Sequence, residues 1–288
     1  MTGRFPPRPY THPVPEQTRI RPTVAILGAG AMGEALLRGL RSAGWTTDEV
    51  SVAARRPERA AAVEAATGQP VVLDPVEAVG DREVVVVATK PRDVTALLDQ
   101  VEKAIRPPQI VVSVAAGVPI RVFEERLPGV AVIRAMPNTP ALVGEGVTGI
   151  AAGTHADDDA IDAASAVLGA VGVVRRMEES NLDAVTAVSG TGPAYVFLLA
   201  EALTEAAIRE GIPRDVAEVL VHQTVRGAGH LLTETGLGPS ELRGQVTSPG
   251  GTTAAAMHVL EERGFRALVE DAVQAAAERA RELGELAE

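Results

Sequence analysis

The chain has 288 residues and a formal net charge of −11 at pH 7; 46% of its residues are hydrophobic and 2% are aromatic. This length suits about two domains, with cores built from small and branched aliphatic side chains. The acidic charge argues against a nucleic-acid partner, which would favour a basic face. The lack of cysteine excludes disulfides, thiol catalysis and thiolate metal sites.

The N-terminal segment 1–21 is rich in proline and polar residues and has no apolar core of the kind found in signal peptides. We predict that this segment is a disordered tail. Elsewhere, no uninterrupted apolar run reaches the roughly 18 residues of a membrane-spanning helix. The sequence therefore predicts a cytoplasmic protein without a membrane partner.

A glycine-rich turn follows the first apolar run, 24–27, and precedes an amphipathic helical pattern that ends at Gly44. In this G-x-G-x-x-G arrangement Gly28 makes the tight strand-to-helix turn, Gly30 lets the backbone approach a pyrophosphate, and Gly33 lets the helix pack close to the sheet. The helix N-terminus offers free N–H groups to the phosphates. We predict a dinucleotide site rather than a mere tight turn, formed by Gly28, Ala29, Gly30, Ala31, Met32 and Gly33.

Apolar, β-branched runs recur through the first half of the chain, with helical patterns between several of them. The predicted strands are 24–27, 50–53, 71–73, 84–88, 110–114 and 130–134. Near-continuous apolar strands that alternate with helices predict a parallel sheet covered on both faces. Residues 146–152 and 171–176 are candidates to extend that sheet, with a helix over about 157–169 between them.

The pattern changes after residue 179, where the strand signal vanishes. The predicted helices cover 181–188, 193–209, 213–233, 240–246, 252–262 and 265–286. Their high alanine content allows close backbone packing, and their apolar stripes serve either an intramolecular core or a subunit interface.

The end of the second predicted strand bears on the choice of dinucleotide. In this fold an acid about 20 residues beyond the glycines binds the ribose hydroxyls of NAD. Here Arg55 and Arg56 follow the strand instead. Guanidinium groups bind a 2′-phosphate through paired hydrogen bonds, whereas a carboxylate would repel it. The pair therefore favours NADPH over NADH, although both arginines could simply open a solvated helix.

Three loops at the carboxyl ends of predicted strands have unusual composition. One contains Lys90 and Pro91, the next contains the small residues 115–117, and the third contains Asn138 between two prolines. Each could be an ordinary turn. Because ligands of open α/β sheets bind beyond the carboxyl strand ends, the three loops together favour a cofactor groove.

The helical half adds two distinctive segments. Residues 189–195 interrupt one helical pattern and start another, but Ser189 lacks the G-x-S-x-G context and the neighbouring histidine of a serine nucleophile. Residues 248–253 combine glycines, hydroxyls and a helix start near Ala254, which is typical of an anion nest. A substrate carboxylate would fit that nest without a lysine. The five histidines show no metal-ligand spacing, so no metal site is expected.

Taken together, these motifs resemble the pyrroline-5-carboxylate reductase family from about Thr23 to Leu283. Five ordered segments carry the resemblance: 28–33, 90–91, 136–140, 183–195 and 248–253. Thr191 stands where the family usually has a second serine, and it keeps the hydroxyl. The resemblance implies hydride transfer from NAD(P)H to the C=N carbon of 1-pyrroline-5-carboxylate; the arginine pair favours NADPH, and NADH is possible. The product is L-proline, in the last step of proline biosynthesis.

The resemblance also implies roles for individual residues. The glycine-rich segment takes the pyrophosphate, and Arg55 contacts the adenosine ribose or its phosphate. The residues lining the cofactor are Lys90, Pro91, Ala115, Ala116, Gly117 and, on the nicotinamide side, Asn138. Ser248, Gly251 and Thr252 hold the substrate carboxylate, Thr253 lies nearest the ring nitrogen, and Glu179 aligns with an acid near the substrate. Imine reduction needs a protonated nitrogen and a well-placed hydride donor but no nucleophile or metal, so we expect Thr253 to orient the iminium.

At the level of the whole chain, the resemblance implies an α/β fold with a Rossmann-type parallel sheet and an all-helical C-terminal domain that interlocks with that of a second subunit. Dimers of this kind often assemble further into rings. The predicted parts are the tail over 1–21, the NAD(P)-binding domain over 22–179, and the helical dimerisation and substrate domain over 180–288.

Other functions remain as alternatives to this interpretation. β-Hydroxyacid and 6-phosphogluconate-type dehydrogenases resemble the same plan but use a lysine of the helical domain, and this chain has no lysine after Lys103. A related imine reductase would lack a dedicated carboxylate site. A non-catalytic NADPH-binding regulator would not need the segment 248–253.

Overall fold

The computed structural model describes residues 21–285. These residues form two compact units, one made of 21–193 together with 273–285 and the other of 194–272. The predicted disordered tail over 1–21 lies outside the described residues, except for Arg21.

An eight-stranded sheet forms the centre of the first unit, with the spatial order β3-β2-β1-β4-β5-β6-β7-β8. The strands are β1 Val24–Leu27, β2 Val50–Ala53, β3 Val71–Val72, β4 Val84–Val87, β5 Ile110–Ser113, β6 Ala131–Met136, β7 Gly146–Ala152 and β8 Gly172–Arg176. Strands β1 to β6 pair in parallel, as predicted. Every residue of β1 and β4 is buried, which explains their continuous apolar sequences.

The last two strands extend the sheet, as predicted, but they run opposite to the first six. Ala135 of β6 lies opposite Ile150 of β7 in an antiparallel pair, and β7 pairs in parallel with β8. The predicted parallel sheet therefore holds for β1 to β6, and the sequence does not predict the direction of β7 and β8. The short connection between Met136 and Gly146 explains the reversal, since a parallel crossover needs about a dozen or more residues.

Helices cover both faces of this sheet. They are α1 Ala31–Ser42, α2 Pro57–Thr67, α3 Pro75–Val79, α4 Val94–Val101, α5 Ile120–Glu124, α6 Asp158–Leu168 and α7 Leu182–Val185. Val24 and Ile26 belong to one apolar core cluster, whereas Ala25 and Leu27 belong to another. Because successive strand residues point to opposite faces, the two clusters lie on opposite sides of the sheet.

A π-helical turn, Thr186–Gly190, follows α7. The N–H of Thr191 donates to the carbonyl of Thr186 at 2.9 Å, five residues earlier. Hydroxyls support the turn: that of Thr186 donates to Leu182 O and that of Ser189 to Val185 O. This turn explains why the sequence pattern breaks at Ser189, since the π turn shifts the register of the helix.

The remaining helices are α8 Gly192–Arg209, α9 Arg214–Glu234, α10 Pro239–Gln245, α11 Thr252–Glu262 and α12 Phe265–Glu285. Their predicted bounds hold to within two residues at the described ends. In the second unit Ala217 and Val221 are buried apolar residues. In contrast, Phe197 is 63%, Leu198 67% and Val219 67% exposed. The isolated unit thus presents an extensive apolar surface.

One helical stretch among the described residues, Glu179–Arg209, is long and apolar enough to span a membrane by length and composition alone. It joins α7, the π turn and α8, which is why a search for uninterrupted apolar runs in the sequence did not find it. Only 11% of its most apolar 18-residue segment is buried. A helix that packs its apolar face against another subunit has the same properties.

Candidate functional site

The glycine-rich turn connects β1 to α1, and at two of its positions the backbone geometry accommodates only glycine. Gly28 has a φ of 117°, and a Cβ atom on it would lie 2.7 Å from the carbonyl oxygen of Ala88. A Cβ atom on Gly33 would overlap the carbonyl oxygen of Gly28. The tight turn and the close helix packing predicted for these two glycines are therefore both observed.

The start of α1 forms an open cradle beside this turn. Gly30 and Ala31 are exposed, and the position of a Cβ atom on Gly30 has no neighbouring atom within 4 Å. No side chain in the described part of the protein caps the helix at Gly30. The first N–H groups of a helix have no partner within the helix. The cradle therefore fits the pyrophosphate of a dinucleotide.

Thr89, which the sequence analysis did not single out, lies at the carboxyl end of β4. Its hydroxyl is buried and has no hydrogen-bond partner among the described residues. Its backbone nitrogen lies 3.1 Å from the position of a Cβ atom on Gly28. Buried hydroxyls are normally hydrogen-bonded, so a bound ligand would satisfy this one. Lys90 and Pro91 follow directly and are exposed.

Arg55 and Arg56 lie beyond the carboxyl end of β2, next to the strand that carries the glycine-rich turn. Leu27 of β1 is opposite Ala53 of β2. The guanidinium of Arg55 is 3.1 Å from the carboxylate of Asp93 and its side chain is 76% exposed. An exposed ion pair contributes little free energy, so Arg55 can exchange Asp93 for a phosphate at small cost.

Arg59 on α2 is a second residue that the sequence analysis missed. Its Nε donates to the carbonyl oxygen of Ala29 at 2.5 Å, and its Nη2 lies 2.5 Å from Glu34 on α1. The arginine thus connects α2 to the glycine-rich turn. No sequence signal marks this residue, because its two partners lie 30 and 25 residues away along the chain.

The loop after β5 contains the predicted cofactor-lining residues Ala115, Ala116 and Gly117. Ala115 is buried and Ala116 is exposed. Gly284, near the end of α12, approaches this loop: a Cβ atom on it would lie 3.3 Å from the carbonyl oxygen of Gly117. Small residues on both sides permit this close backbone approach.

Asn138 is buried after β6, and both ends of its amide have protein partners. Its Nδ2 donates to the carbonyl of Ser189 in the π turn at 3.1 Å, and its Oδ1 accepts from the Val147 N–H at 2.9 Å. The side chain thus ties the loop after β6 to β7 and to the π turn. A contact with the nicotinamide stays a prediction.

Glu179 lies in an ionic network around the buried Arg134. Its Oε1 accepts from the Ile120 N–H at 2.8 Å and from Arg134 Nη1 at 3.1 Å. The other arm of Arg134 is 3.4 Å from Asp183. Arg134 is 8% exposed, and a buried charge requires such partners. The structure therefore gives Glu179 a positioning contact, while its predicted place near the substrate stays a prediction.

The segment 248–253 is an exposed turn that runs into α11. The Gly251 N–H donates to the carbonyl of Ser248 at 3.0 Å, and Gly250 has a φ of 70°. The helix begins at Thr252, as predicted for the helix over 252–262, and no described side chain caps it. Thr253 is half-buried. Free N–H groups at an uncapped helix start are what an anion nest requires.

Within residues 21–285 no group of three or more histidine, aspartate or glutamate side chains could hold a metal ion.

Two family models match separate parts of the chain. Residues 23–117 match the family described as "NADP oxidoreductase coenzyme F420-dependent", and residues 179–283 match "Pyrroline-5-carboxylate reductase dimerisation". The pyrroline-5-carboxylate reductase of Mycobacterium tuberculosis is 44% identical over 284 residues, covering 90% of this chain and 96% of that relative. The enzyme of Pseudomonas aeruginosa is 40% identical, covering 92% and 97%. The helical part of this chain is therefore a dimerisation domain that supports self-association.

Solved structures agree. The pyrroline-5-carboxylate reductase of Coxiella burnetii aligns with a TM-score of 0.87 at 34% identity, covering 91% of this chain and 98% of that one. The pyrroline carboxylate reductase of Plasmodium falciparum, solved with NADP bound, aligns with a TM-score of 0.81 at 26% identity and the same coverage. Together with the glycine-rich turn and the uncapped start of α11, these similarities show that the chain belongs to the pyrroline-5-carboxylate reductase family.

Proposed function

We propose that this oxidoreductase reduces 1-pyrroline-5-carboxylate to L-proline with NADPH, the last step of proline biosynthesis. The observation that carries the proposal is the open, uncapped glycine-rich turn beside two exposed arginines, in a chain 44% identical to a reductase of this name. NADH is the second cofactor that the same turn would accept.

The first unit is proposed to hold the cofactor. When bound, NADPH supplies the hydride. The N–H groups at the start of α1 would bind its pyrophosphate, and Arg55 and Arg56 would bind its 2′-phosphate. The loops that carry Lys90, Pro91, Ala115, Ala116, Gly117 and Asn138 are proposed to line the rest of the groove. NADP in the related Plasmodium structure supports this assignment.

The segment 248–253 is proposed to hold the substrate. Backbone N–H groups near Ser248, Gly251 and Thr252 would bind the carboxylate, because the chain has no lysine after Lys103. The Thr253 hydroxyl would orient the protonated ring nitrogen rather than protonate it, since a threonine hydroxyl is a poor acid. The hydride adds to the C=N carbon, and the π electron pair becomes the nitrogen lone pair of the amine. For Glu179 we propose a positioning role, which it exerts through its ion pair with Arg134.

The proposal extends to assembly and location. We propose dimers formed through the helical domain over 180–288, their further assembly into rings, and a cytoplasmic protein with no nucleic-acid or membrane partner. The cofactor domain would then span 22–179, after the tail over 1–21. The exposed apolar side chains of α8 and α9 support the dimer.

The test is an assay of the purified protein with NADPH and 1-pyrroline-5-carboxylate, with L-proline identified chromatographically. We expect NADPH oxidation matched by proline formation. Equal rates with 1-pyrroline, which lacks the carboxylate, would instead indicate a broader imine reductase. If neither imine is reduced although NADPH binds, the chain is a non-catalytic regulator and the proposal fails.

A further inference from the structure

Arg59 contacts the glycine-rich turn although it lies outside the G-x-G-x-x-G motif. Its Nε donates to the carbonyl oxygen of Ala29, and its Nη2 pairs with the Glu34 carboxylate. The Arg59 side chain is 32% exposed and that of Glu34 is 21% exposed. These two partly buried contacts therefore hold the Arg59 guanidinium of α2 against Glu34 of α1 and against the carbonyl of Ala29.

The Ala29 carbonyl matters because it shares a rigid peptide unit with the Gly30 N–H. In a trans peptide the C=O and the N–H point in opposite directions. A guanidinium that holds the carbonyl on the side of α2 therefore directs the Gly30 N–H away from α2. Gly30 itself has few conformational restraints, so an external contact is needed to fix this peptide plane.

Glu34 is the second partner of Arg59 and holds its guanidinium beside the turn. Hydrogen bonds from Arg38 and then from Arg59, with the charges of both arginines, hold the pKa of Glu34 below its usual value. The carboxylate is therefore ionised at neutral pH. Arg38 binds Glu34 Oε1 at 2.7 Å, whereas Arg59 binds Oε2. Of these two arginines, only Arg59 also reaches the turn, so Arg38 provides a natural control.

We propose that Arg59 is a positioning residue for the pyrophosphate of the cofactor, and that it acts by orienting the Ala29–Gly30 peptide. Because NADPH and NADH share the pyrophosphate, Arg59 serves both equally. Arg55 and Arg56 are assigned to the 2′-phosphate and serve NADPH alone. The inference rests on the proposed function only in taking a nicotinamide dinucleotide as the ligand.

The test compares Arg59→Met with Arg38→Met by fluorescence titration of NADPH and of NADH, without substrate. Methionine keeps an apolar stem of similar reach and removes every donor. We expect Arg59→Met to lower the affinity for both cofactors by about tenfold or more, because a charged hydrogen bond is lost. Arg38→Met should change neither by more than about twofold, since exposed pairs on one helix contribute little. Arg59→Lys keeps the charge but has only one donor nitrogen, so its affinity for both cofactors should be intermediate between those of the wild type and Arg59→Met.

Three outcomes overturn the inference. A loss confined to NADPH would place Arg59 at the 2′-phosphate. Equal losses in Arg59→Met and Arg38→Met would assign the effect to Glu34 rather than to the turn. Unchanged affinity in a folded Arg59→Met would remove the residue from cofactor binding. If Arg59→Met does not fold, Arg59→Lys takes its place, and wild-type affinity of that variant for both NADPH and NADH would likewise overturn the inference. If the protein binds both cofactors but reduces no imine, the proposed function is contradicted, whereas this inference is not.

Discussion

The sheet-containing unit and the helical unit differ in how far they bury their apolar side chains. In the first, Ile26 and Val86 on the central strands are fully buried, and helices cover both sheet faces. In the second, Phe197, Leu198 and Val219 are each more than 60% exposed. The first unit completes its core within one chain. The second leaves an exposed apolar surface, in agreement with its match to a dimerisation domain.

The two units also differ in how their proposed site residues are held. Around the cofactor cradle, Arg59 fixes the turn and Asn138 is tied through both ends of its amide. Ser248 and Thr252, in contrast, are exposed. We infer that the sheet-containing unit supplies the proposed cofactor site from residues of one chain.

The largest expected effect is on assembly. Replacing Phe197 with aspartate places a charge in the exposed apolar face of α8, and burying an unpaired charge is costly. We expect the wild type to scatter light as a dimer or larger species and Phe197→Asp to shift toward the 29.9 kDa monomer. Leu73→Asp is the matched control, since Leu73 is 52% exposed but lies in the sheet-containing unit. If the wild type is monomeric at micromolar concentration, or if Leu73→Asp dissociates equally, the contrast between the units is lost.

The next effect concerns the carboxylate site. A Cβ atom on Gly251 would overlap the side chain of Ser248, whereas one on Gly244 meets no atom within 4 Å. We therefore expect Gly251→Val to lower kcat/KM for 1-pyrroline-5-carboxylate by about 10²-fold or more, as the loss of a preorganised anion site does. Gly244→Val should retain activity. Steady-state kinetics with a parallel NADPH titration checks this, and near-normal kcat/KM in Gly251→Val would remove the segment from substrate binding.

Cofactor choice should show a smaller and more selective effect. Replacing Arg55 and Arg56 with alanine removes charge-assisted contacts to the 2′-phosphate, which cost about 1.5–3 kcal/mol when lost. The Michaelis constant for NADPH should rise accordingly while that for NADH stays nearly unchanged. Equal changes for both cofactors would mean that the pair does not recognise the 2′-phosphate.

The sequence predicted the elements well because their signals are local. Most strands of the first unit are short apolar runs, and glycine or proline marks several helix ends. The direction of β7 and β8 was not predicted, because it depends on the length of the connection after Met136 rather than on the strand sequences. The π turn was visible only as an interruption, since its support comes from backbone and hydroxyl hydrogen bonds.

For the site, the sequence supplied the residues that belong to contiguous motifs, such as Gly28 and Gly33. It missed residues that act across the fold. Arg59 reaches a carbonyl 30 positions away, and Arg134 pairs with a glutamate 45 positions away. No periodicity or spacing rule encodes such contacts, because they depend on which strands become neighbours in the sheet.

The most direct test of the central claim, that the helical unit orients the imine while the sheet-containing unit holds the cofactor, is the kinetics of Thr253→Ala with an NADPH titration. Losing one positioned hydrogen bond at a reacting centre costs about 10²–10³ in rate. We therefore predict a loss of turnover of that size with unchanged NADPH affinity, and recovery in Thr253→Ser. Near-normal turnover in Thr253→Ala would contradict the claim, and so would a loss of NADPH affinity, because the segment would then serve the cofactor.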